Sequence, residues 1–401
     1  MAIVFLLVLY GVSALALAYV YAGYPTLLAL AVRLVGPREV RRDEQIRPGV
    51  TLIISAFNEE AIIDGKLRNS LELHYPRELL EILVVSDCSS DRTDEIVAAV
   101  SSDQVRLLRM MERGGKTAGL NEAVRHARGE ILVFSDANAH YDRHAIARMV
   151  RNFADPGVGA VTGESRYWIG EGDFSTESEN AYWRYELALK KLESRLGSLV
   201  GGDGAIYAIR KSLYVELDPA DLSDFVNPLQ IVRQGYRNVY EAEAICYEGG
   251  AEGFAAEFRR KVRIVNRACR AAWKMRDLAN PFRHGAFALQ FLSHKVLRWL
   301  APVFMVLLFA ANVLLAGQST FFAVTLGLQL AFYALALIGW RLSGASKQHL
   351  VFYIPYYFCA INMASLVGII EALRGRRYTV WNVSRREEAP RDSNLEPTAP
   401  P

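Results

Sequence analysis

Three long stretches of this chain carry no charge, and two of them lie beyond a polar middle that the first precedes. No Asp, Glu, Lys or Arg lies between Met1 and Arg33 or between Ala301 and Trp340, and from Gln348 to Ile370 only His349 can titrate. Each stretch supplies the roughly 20 apolar residues that a bilayer-spanning helix requires. A chain of 401 residues, 52% of them hydrophobic, therefore holds one sizeable soluble domain plus several membrane segments, which excludes a single small module.

The first stretch has no basic residue ahead of it and runs past Ala14-Leu15-Ala16, so it is expected to be a retained anchor, not a cleaved leader. Arg33, Arg38, Arg41, Arg42 and Arg47 follow it. Basic residues favour the cytoplasmic flank, which predicts an outside N-terminus, a cytosolic middle domain and a multi-pass protein of the cell (inner) membrane. The formal net charge of +3 is too small to argue for nucleic acid, and the basic residues sit beside the apolar stretches, where anionic headgroups of the lipid bilayer are the simpler partner. The four cysteines, Cys88, Cys246, Cys269 and Cys359, show neither a CxxC pair nor zinc spacing, so they are read as reduced structural thiols.

From residue 50 to about 155, short β-rich runs (50–56, 81–86, 105–108 and 130–135) alternate with helical stretches. That is βαβ punctuation and predicts an α/β domain with a mainly parallel sheet covered on both faces. Ligands bind such sheets at the carboxyl ends of the strands. From 163 to 279 the alternation loosens into a long polar helix at about 178–196, a Gly-rich turn at 201–204 and a basic helix after Glu252, read as the acceptor half. The tail after Glu387 is rich in Pro, Asp, Asn and Glu and is expected to be disordered.

Chemistry-bearing residues stand at the strand ends. Asp87 closes an apolar run and is followed by Cys88-Ser89-Ser90-Asp91, so its carboxylate either reads the N–H of a nucleobase or caps the next helix. Asp136 and Asn138 leave the next strand one residue apart, and alternate residues can point the same way toward one hard cation. Mg²⁺ or Mn²⁺ held there would stabilise a departing diphosphate. Between them, Gly114-Gly115-Lys116 opens a helix without Walker spacing, leaving Lys116 as a phosphate or ribose contact or a solvated lysine. Asp221 and Asp224 precede an apolar helix and serve either as N-caps or as a general base. Arg260, Arg263 and Arg267 share one helical face that suits phosphates or anionic lipid.

Taken in order, Ser55-Ala56-Phe57-Asn58-Glu59-Glu60, Asp87 with Ser89, Ser90, Asp91 and Thr93, Lys116 with Asn121, Asp136 with Asn138, Asp224 and the Arg260 to Arg263 helix resemble the family-2 glycosyltransferases over residues 50–273. The flanking apolar segments resemble the membrane branch with cellulose, hyaluronan and poly-N-acetylglucosamine synthases. The resemblance implies a GT-A type, Rossmann-like domain and an inverting transfer from a nucleotide sugar, of UDP type, to a glycan or lipid-linked acceptor. It implies donor contacts at Ala56, Asn58, Glu59, Asp87, Lys116, Asn121, Asp136, Arg260 and Arg263. It further implies acceptor contacts at Gly202, Asp203 and Gly204, a metal on Asp136 and Asn138, and Asp224 as base. Trp381, Ser384 and Arg386 resemble a gating segment that closes over the nucleotide.

Two departures matter. The synthases' Gln-x-x-Arg-Trp becomes Arg260-Lys261-Val262-Arg263-Ile264, which keeps one Arg but loses the Gln and Trp that help form their acceptor site. The second metal residue is Asn138 instead of Asp, which lowers ligand charge while keeping an oxygen. Processive synthesis, a single addition to a polyprenyl phosphate or glycolipid, and an inactive nucleotide-sugar-binding scaffold are thus all open. The expected organisation is an anchor (1–36), a catalytic domain (48–280), an interfacial helix with two or three spans (281–373) and a cytosolic tail (374–401). Three full crossings after the domain would strand that tail outside, so 348–373, which contains Pro355 and Asn362, is expected to be re-entrant or interfacial.

Overall fold

The β-branched, apolar runs become strands because a parallel sheet buried on both faces accepts apolar side chains at every position. The computed structural model describes residues 1–167, 175–249, 254–343 and 349–380. Val50–Ala56 (β1), Leu80–Ser86 (β2), Val105–Arg109 (β3) and Ile131–Asp136 (β4) lie parallel in the order β3-β2-β1-β4. All of β1 is buried: Leu52 and Ile54 face one core with Ile63, Leu67 and Val84, and Ile53 faces the other with Leu83, Leu120 and Phe134. Register sets Ala56 beside Ser86 and Ser55 beside Asp136, so Asp87 and Asp136 emerge at one end of the sheet.

His140–Tyr141 (β5), Val158–Tyr167 (β6), Tyr207–Arg210 (β7) and Arg237–Glu248 (β8) complete an eight-stranded sheet ordered β3-β2-β1-β4-β7-β6-β8-β5. β7 runs antiparallel to β4 and β6, β5 runs antiparallel to β8, and β6 with β8 is parallel. Four of the seven pairings are thus parallel, as expected, and the antiparallel ones fall where the sequence alternation loosens. The fold is GT-A-like. The four cysteines are free thiols.

Four described helices are long and apolar enough to cross a membrane: Ala2–Val35, Ala286–Leu315, Thr320–Arg341 and Leu350–Leu373. The first enters the domain, where Tyr24 and Leu28 pack on Leu189 of the helix Ser175–Leu196 and the Tyr24 hydroxyl donates to Glu193 at 2.6 Å. The 283–298 stretch is not one surface helix. It breaks at Gly285 and continues as a π-helical segment, Phe291–Leu297, into Arg298–Leu315. Within it His294 is buried, with Nδ1 2.6 Å from Glu193, so this stretch docks the domain as well as leading into the span.

Aromatic contacts fix how the other helices run. Tyr10 meets Phe322 with ring centroids 5.1 Å apart, while Tyr21 meets Phe358 at 5.1 Å and Phe358 meets Phe332 at 5.8 Å. Thr320–Arg341 therefore runs alongside Ala2–Val35 in the same direction and ends on the domain side. Gly339 there lies against Phe352 and Tyr356, near the start of Leu350–Leu373. Further along, Gly368 packs against Val262 and Val265 of the domain helix Phe254–Lys274, and Asn266 donates to the Arg376 carbonyl at 3.3 Å. Both ends of Leu350–Leu373 thus lie against the domain side.

Candidate functional site

The donor-side loops are stitched to one another before any ligand arrives. Asn58, at φ +53° in the left-handed region, accepts from the Ser90 N–H at 2.8 Å, and its own N–H donates to Ser89 Oγ at 3.1 Å. The Glu59 N–H donates to Thr93 Oγ1 at 2.8 Å. Cys88 also lies in the left-handed region, at φ +64°. Two left-handed positions at adjacent strand ends mark a tightly constrained loop pair. Asn58 and Glu59 therefore act here as builders of the loop, while Ala56 is fully buried at the strand end.

Asp87 is 2% exposed and does not cap the following helix. Its carboxylate accepts from Gly114 N–H at 2.8 Å and from Gly115 N–H at 3.1 and 3.0 Å, fixing the turn that precedes Lys116. Burial pushes its carboxyl above the usual range, and the two glycine bonds with Arg113 pull in the opposite direction. A carboxylate offers about four lone-pair sites, so acceptor capacity remains for a base N–H. Gly115 has φ +85°, and the Thr379 carbonyl sits where a Cβ would be. The C-terminal segment up to Val380 thus passes over this turn. Trp381, Ser384 and Arg386 lie outside the described residues.

Lys116 is ion-paired with Asp136, which brings the loop lysine and the metal motif together. Asn138 donates through Nδ2 to Glu248 at 3.2 Å, and its buried Oδ1 has no hydrogen-bond partner among the described residues. That orphaned oxygen, two residues along the chain from the Asp136 carboxylate, is of the kind a hard, oxygen-seeking cation takes. Among the described residues no group of three or more His, Cys, Asp or Glu forms a metal cage. The residues that could hold a cation here are therefore one carboxylate, Asp136, and one amide, Asn138, oxygen donors of the type Mg²⁺ and Mn²⁺ take. Behind the motif, buried Lys66 donates to the Ala139 carbonyl and lies 4.2 Å from the Tyr141 ring centroid. Burial pushes its ammonium down to about 7.

Asp224 sits in the first turn of Ser223–Arg233, not at its N-cap. The Gly202 N–H donates to its carbonyl at 2.7 Å, and a Cβ on Gly204 would lie 3.0 Å from its Oδ2, so the Gly-Asp-Gly turn wraps this one acid. Asp203 turns away, accepting from Ser165 at 2.9 Å and pairing with Lys190 at 3.1 Å. Burial raises the Asp224 pKa most, Lys116 and Arg267 oppose the rise, and Asp136 and Asp203 add to it. One electrostatic neighbourhood therefore contains Asp224, Asp136 and Lys116.

Arg267, not carried forward as a site residue by the sequence reading, ties this side together. It donates to the Ala220 carbonyl at 3.1 Å, to Thr117 Oγ1 at 3.1 Å and to the Asp221 carbonyl. Lys274 pairs with the Asp221 carboxylate at 2.8 Å. Burial pushes the Arg267 guanidinium down to about 10, and Asp224 opposes that fall. Its only signal in the sequence was the i, i+3, i+7 stripe it completes. Arg263 stands one turn earlier, close enough to act on the Tyr378 phenol, whereas Arg260 is bidentate on Glu257 at 2.6 and 3.0 Å. Asn121 serves the frame: Nδ2 donates to the Leu217 carbonyl at 2.8 Å, while Oδ1 accepts from Tyr214 at 2.6 Å and Leu217 N–H at 3.0 Å.

The glycosyl transferase family 2 model matches residues 51–217, which contain Asp87, Lys116, Asp136 and Asn138. A poly-beta-1,6-N-acetyl-D-glucosamine synthase of Staphylococcus aureus is 25% identical over 267 residues, 65% of this chain and 64% of that one. A beta-monoglucosyldiacylglycerol synthase of Trichormus variabilis is 30% identical over 176 residues, 43% of this chain and 38% of the relative. The chain thus spans less than two thirds of the length of these curated relatives. Among solved structures, the mannosyltransferase PcManGT of Pyrobaculum calidifontis in complex with GDP-Man and Mn²⁺ is similar with a TM-score of 0.72 and 25% identity, over 92% of this chain and 99% of that one.

Proposed function

We propose, from the match of residues 51–217 to the glycosyl transferase family 2 model, that this chain is a member of that family and moves a sugar from a nucleotide-sugar donor to an acceptor at the membrane surface, with inversion. The observation that carries this reading is the meeting of Asp87, Lys116, Asp136 and Asp224 from separate parts of the chain at one end of the sheet. Asp224 removes the acceptor's hydroxyl proton, the freed oxygen forms a bond to the anomeric carbon, and the bond from that carbon to the diphosphate breaks on the opposite face. A half-buried carboxyl whose pKa is raised by desolvation suits a general base working near neutral pH. Lys116 and Arg267 set positive charge beside the place where the leaving group gathers negative charge. A divalent cation on Asp136 and Asn138 supplies further neutralisation of the diphosphate.

The acceptor is membrane-borne. Ala2–Val35, Arg298–Leu315 and Thr320–Arg341 cross the bilayer, with the catalytic domain on the cytosolic side beside Arg33, Arg38, Arg41 and Arg42. Leu350–Leu373 skirts the membrane surface, because a helix that begins and ends against the domain has not crossed. An odd number of crossings separates the two chain termini, leaving the N-terminus outside and the tail cytosolic.

We read the reaction as a single addition. Position 264 is Ile where the synthases place an aromatic, and Arg260 is engaged by Glu257 in place of the synthases' Gln. The test is to supply purified protein in lipid with a panel of UDP- and GDP-sugars and membrane lipids, then measure released nucleotide and product mass. One nucleotide released per product carrying one added sugar supports the reading. A ladder of longer products establishes processive synthesis, and no nucleotide release with any donor refutes the enzyme.

A further inference from the structure

The cation side of the site departs from a pair of carboxylates, and that departure is matched by an acid from a distant strand. An amide has a donor end and an acceptor end, so fixing one fixes where the other points. Asn138 Nδ2 donates to Glu248 Oε1 at 3.2 Å, and Asn138 Oδ1 is buried without a hydrogen-bond partner among the described residues. Glu248 is held by the sheet: β8 pairs with β6 through Tyr167↔Glu248 and with β5 through His140↔Tyr247. The strand that carries Glu248 is thus in register with the residues that directly follow the Asp136–Asn138 turn. Lys66 fixes that turn from the core through the Ala139 carbonyl.

We propose that Glu248 is a positioning residue for the cation site: it holds the Asn138 amide so that Oδ1 faces the cation, and it returns beside the site the negative charge that Asn138 lacks relative to Asp. The inference rests on the metal reading above. Partners that orient a ligand from behind commonly contribute 10–100-fold in metal affinity. The geometry also dictates which exchange preserves function. A carboxylate at 138 facing Glu248 sets two acceptors of like charge against each other, whereas Asp at 138 with Gln at 248 restores the hydrogen bond with donor and acceptor exchanged.

The experiment measures Mn²⁺ binding by electron paramagnetic resonance on full-length protein in lipid nanodiscs, with GDP or UDP present, alongside thermal unfolding and the metal dependence of turnover. Glu248→Ala is expected to weaken Mn²⁺ binding about 10–100-fold, raising the metal concentration needed for turnover while the rate at saturating metal changes little. Asn138→Asp alone is expected to bind weakly, and the double variant Asn138→Asp/Glu248→Gln to recover to within about 3-fold of the native protein, a coupling that independent sites do not show. Native-like Mn²⁺ affinity in Glu248→Ala, or a double variant no better than Asn138→Asp, overturns the proposal. A native protein that binds no Mn²⁺ with either nucleotide overturns the metal reading and this inference together.

Discussion

The two halves of the cleft reach the same end of the sheet by different construction. On the donor side, Asp87 and Asp136 emerge from parallel strands flanking β1, and sheet register alone places them together. On the acceptor side, Asp224, the Gly202–Gly204 turn and Arg267 come from segments held by side-chain ties: Thr117 to Asp221, Arg267 to Ala220, Lys274 to Asp221. The helix carrying Arg267 lies along Leu350–Leu373 through Gly368, and the segment that follows Leu350–Leu373 reaches the turn before Lys116 through the Thr379 carbonyl at Gly115.

That contrast is most severely tested where the donor side should fail completely. Excess chelator is expected to reduce transfer to background, with Mn²⁺ or Mg²⁺ restoring it, and Asp136→Ala is expected to abolish turnover at any metal concentration. Unchanged turnover in chelator removes the cation from the chemistry. A smaller loss is expected on the acceptor side: Arg267→Gln should lower kcat by about 10²-fold through misplacement of the Asp221–Asp224 segment, with donor KM little changed. Its pH profile sharpens the test. Asp224 acts as base only when ionised, so the rate rises with pH through its upward-shifted pKa. Losing a neighbouring cation moves that acid limb to still higher pH. A limb that stays put would leave Arg267 with a packing task alone.

The smallest catalytic effect is expected at Asn121, inside the frame that joins the halves. Asn121→Ala removes three buried hydrogen bonds and should cost about 1–3 kcal/mol of stability. Measured at a temperature where the variant stays folded, transfer should remain near the native rate. Loss of donor affinity without loss of stability would return Asn121 to the donor site.

The donor half was legible in the sequence because its signals are local. A β-rich run followed by an acid and small polar residues states both the strand and the side chain at its end, as at Leu83 to Asp91 and Ile131 to Asn138. The motif positions of Asn58 and Asn121 suggest donor contacts, and only the structure adds that their amides engage Ser90 and Leu217. Contacts between remote partners were harder to read in either half. Asn138 and Glu248 are 110 residues apart, and Arg267 reaches Thr117 across 150. No spacing rule connects such pairs; only the sheet order that brings β8 beside β5, and the packing of a helix across the cleft, does so. The course of 350–373 was legible only as a topological conflict, and the contacts of Gly339 and Gly368 are what support the surface course proposed for it.

The most direct test of the shared cleft separates holding the donor from activating the acceptor. Asp224→Asn keeps the shape of the side chain and removes its capacity to take a proton. Donor binding by calorimetry should remain native while transfer, measured on the same protein in lipid, falls about 10³-fold. Transfer at the native rate would contradict the account, because the acid at the centre of the acceptor half would then have no part in the reaction.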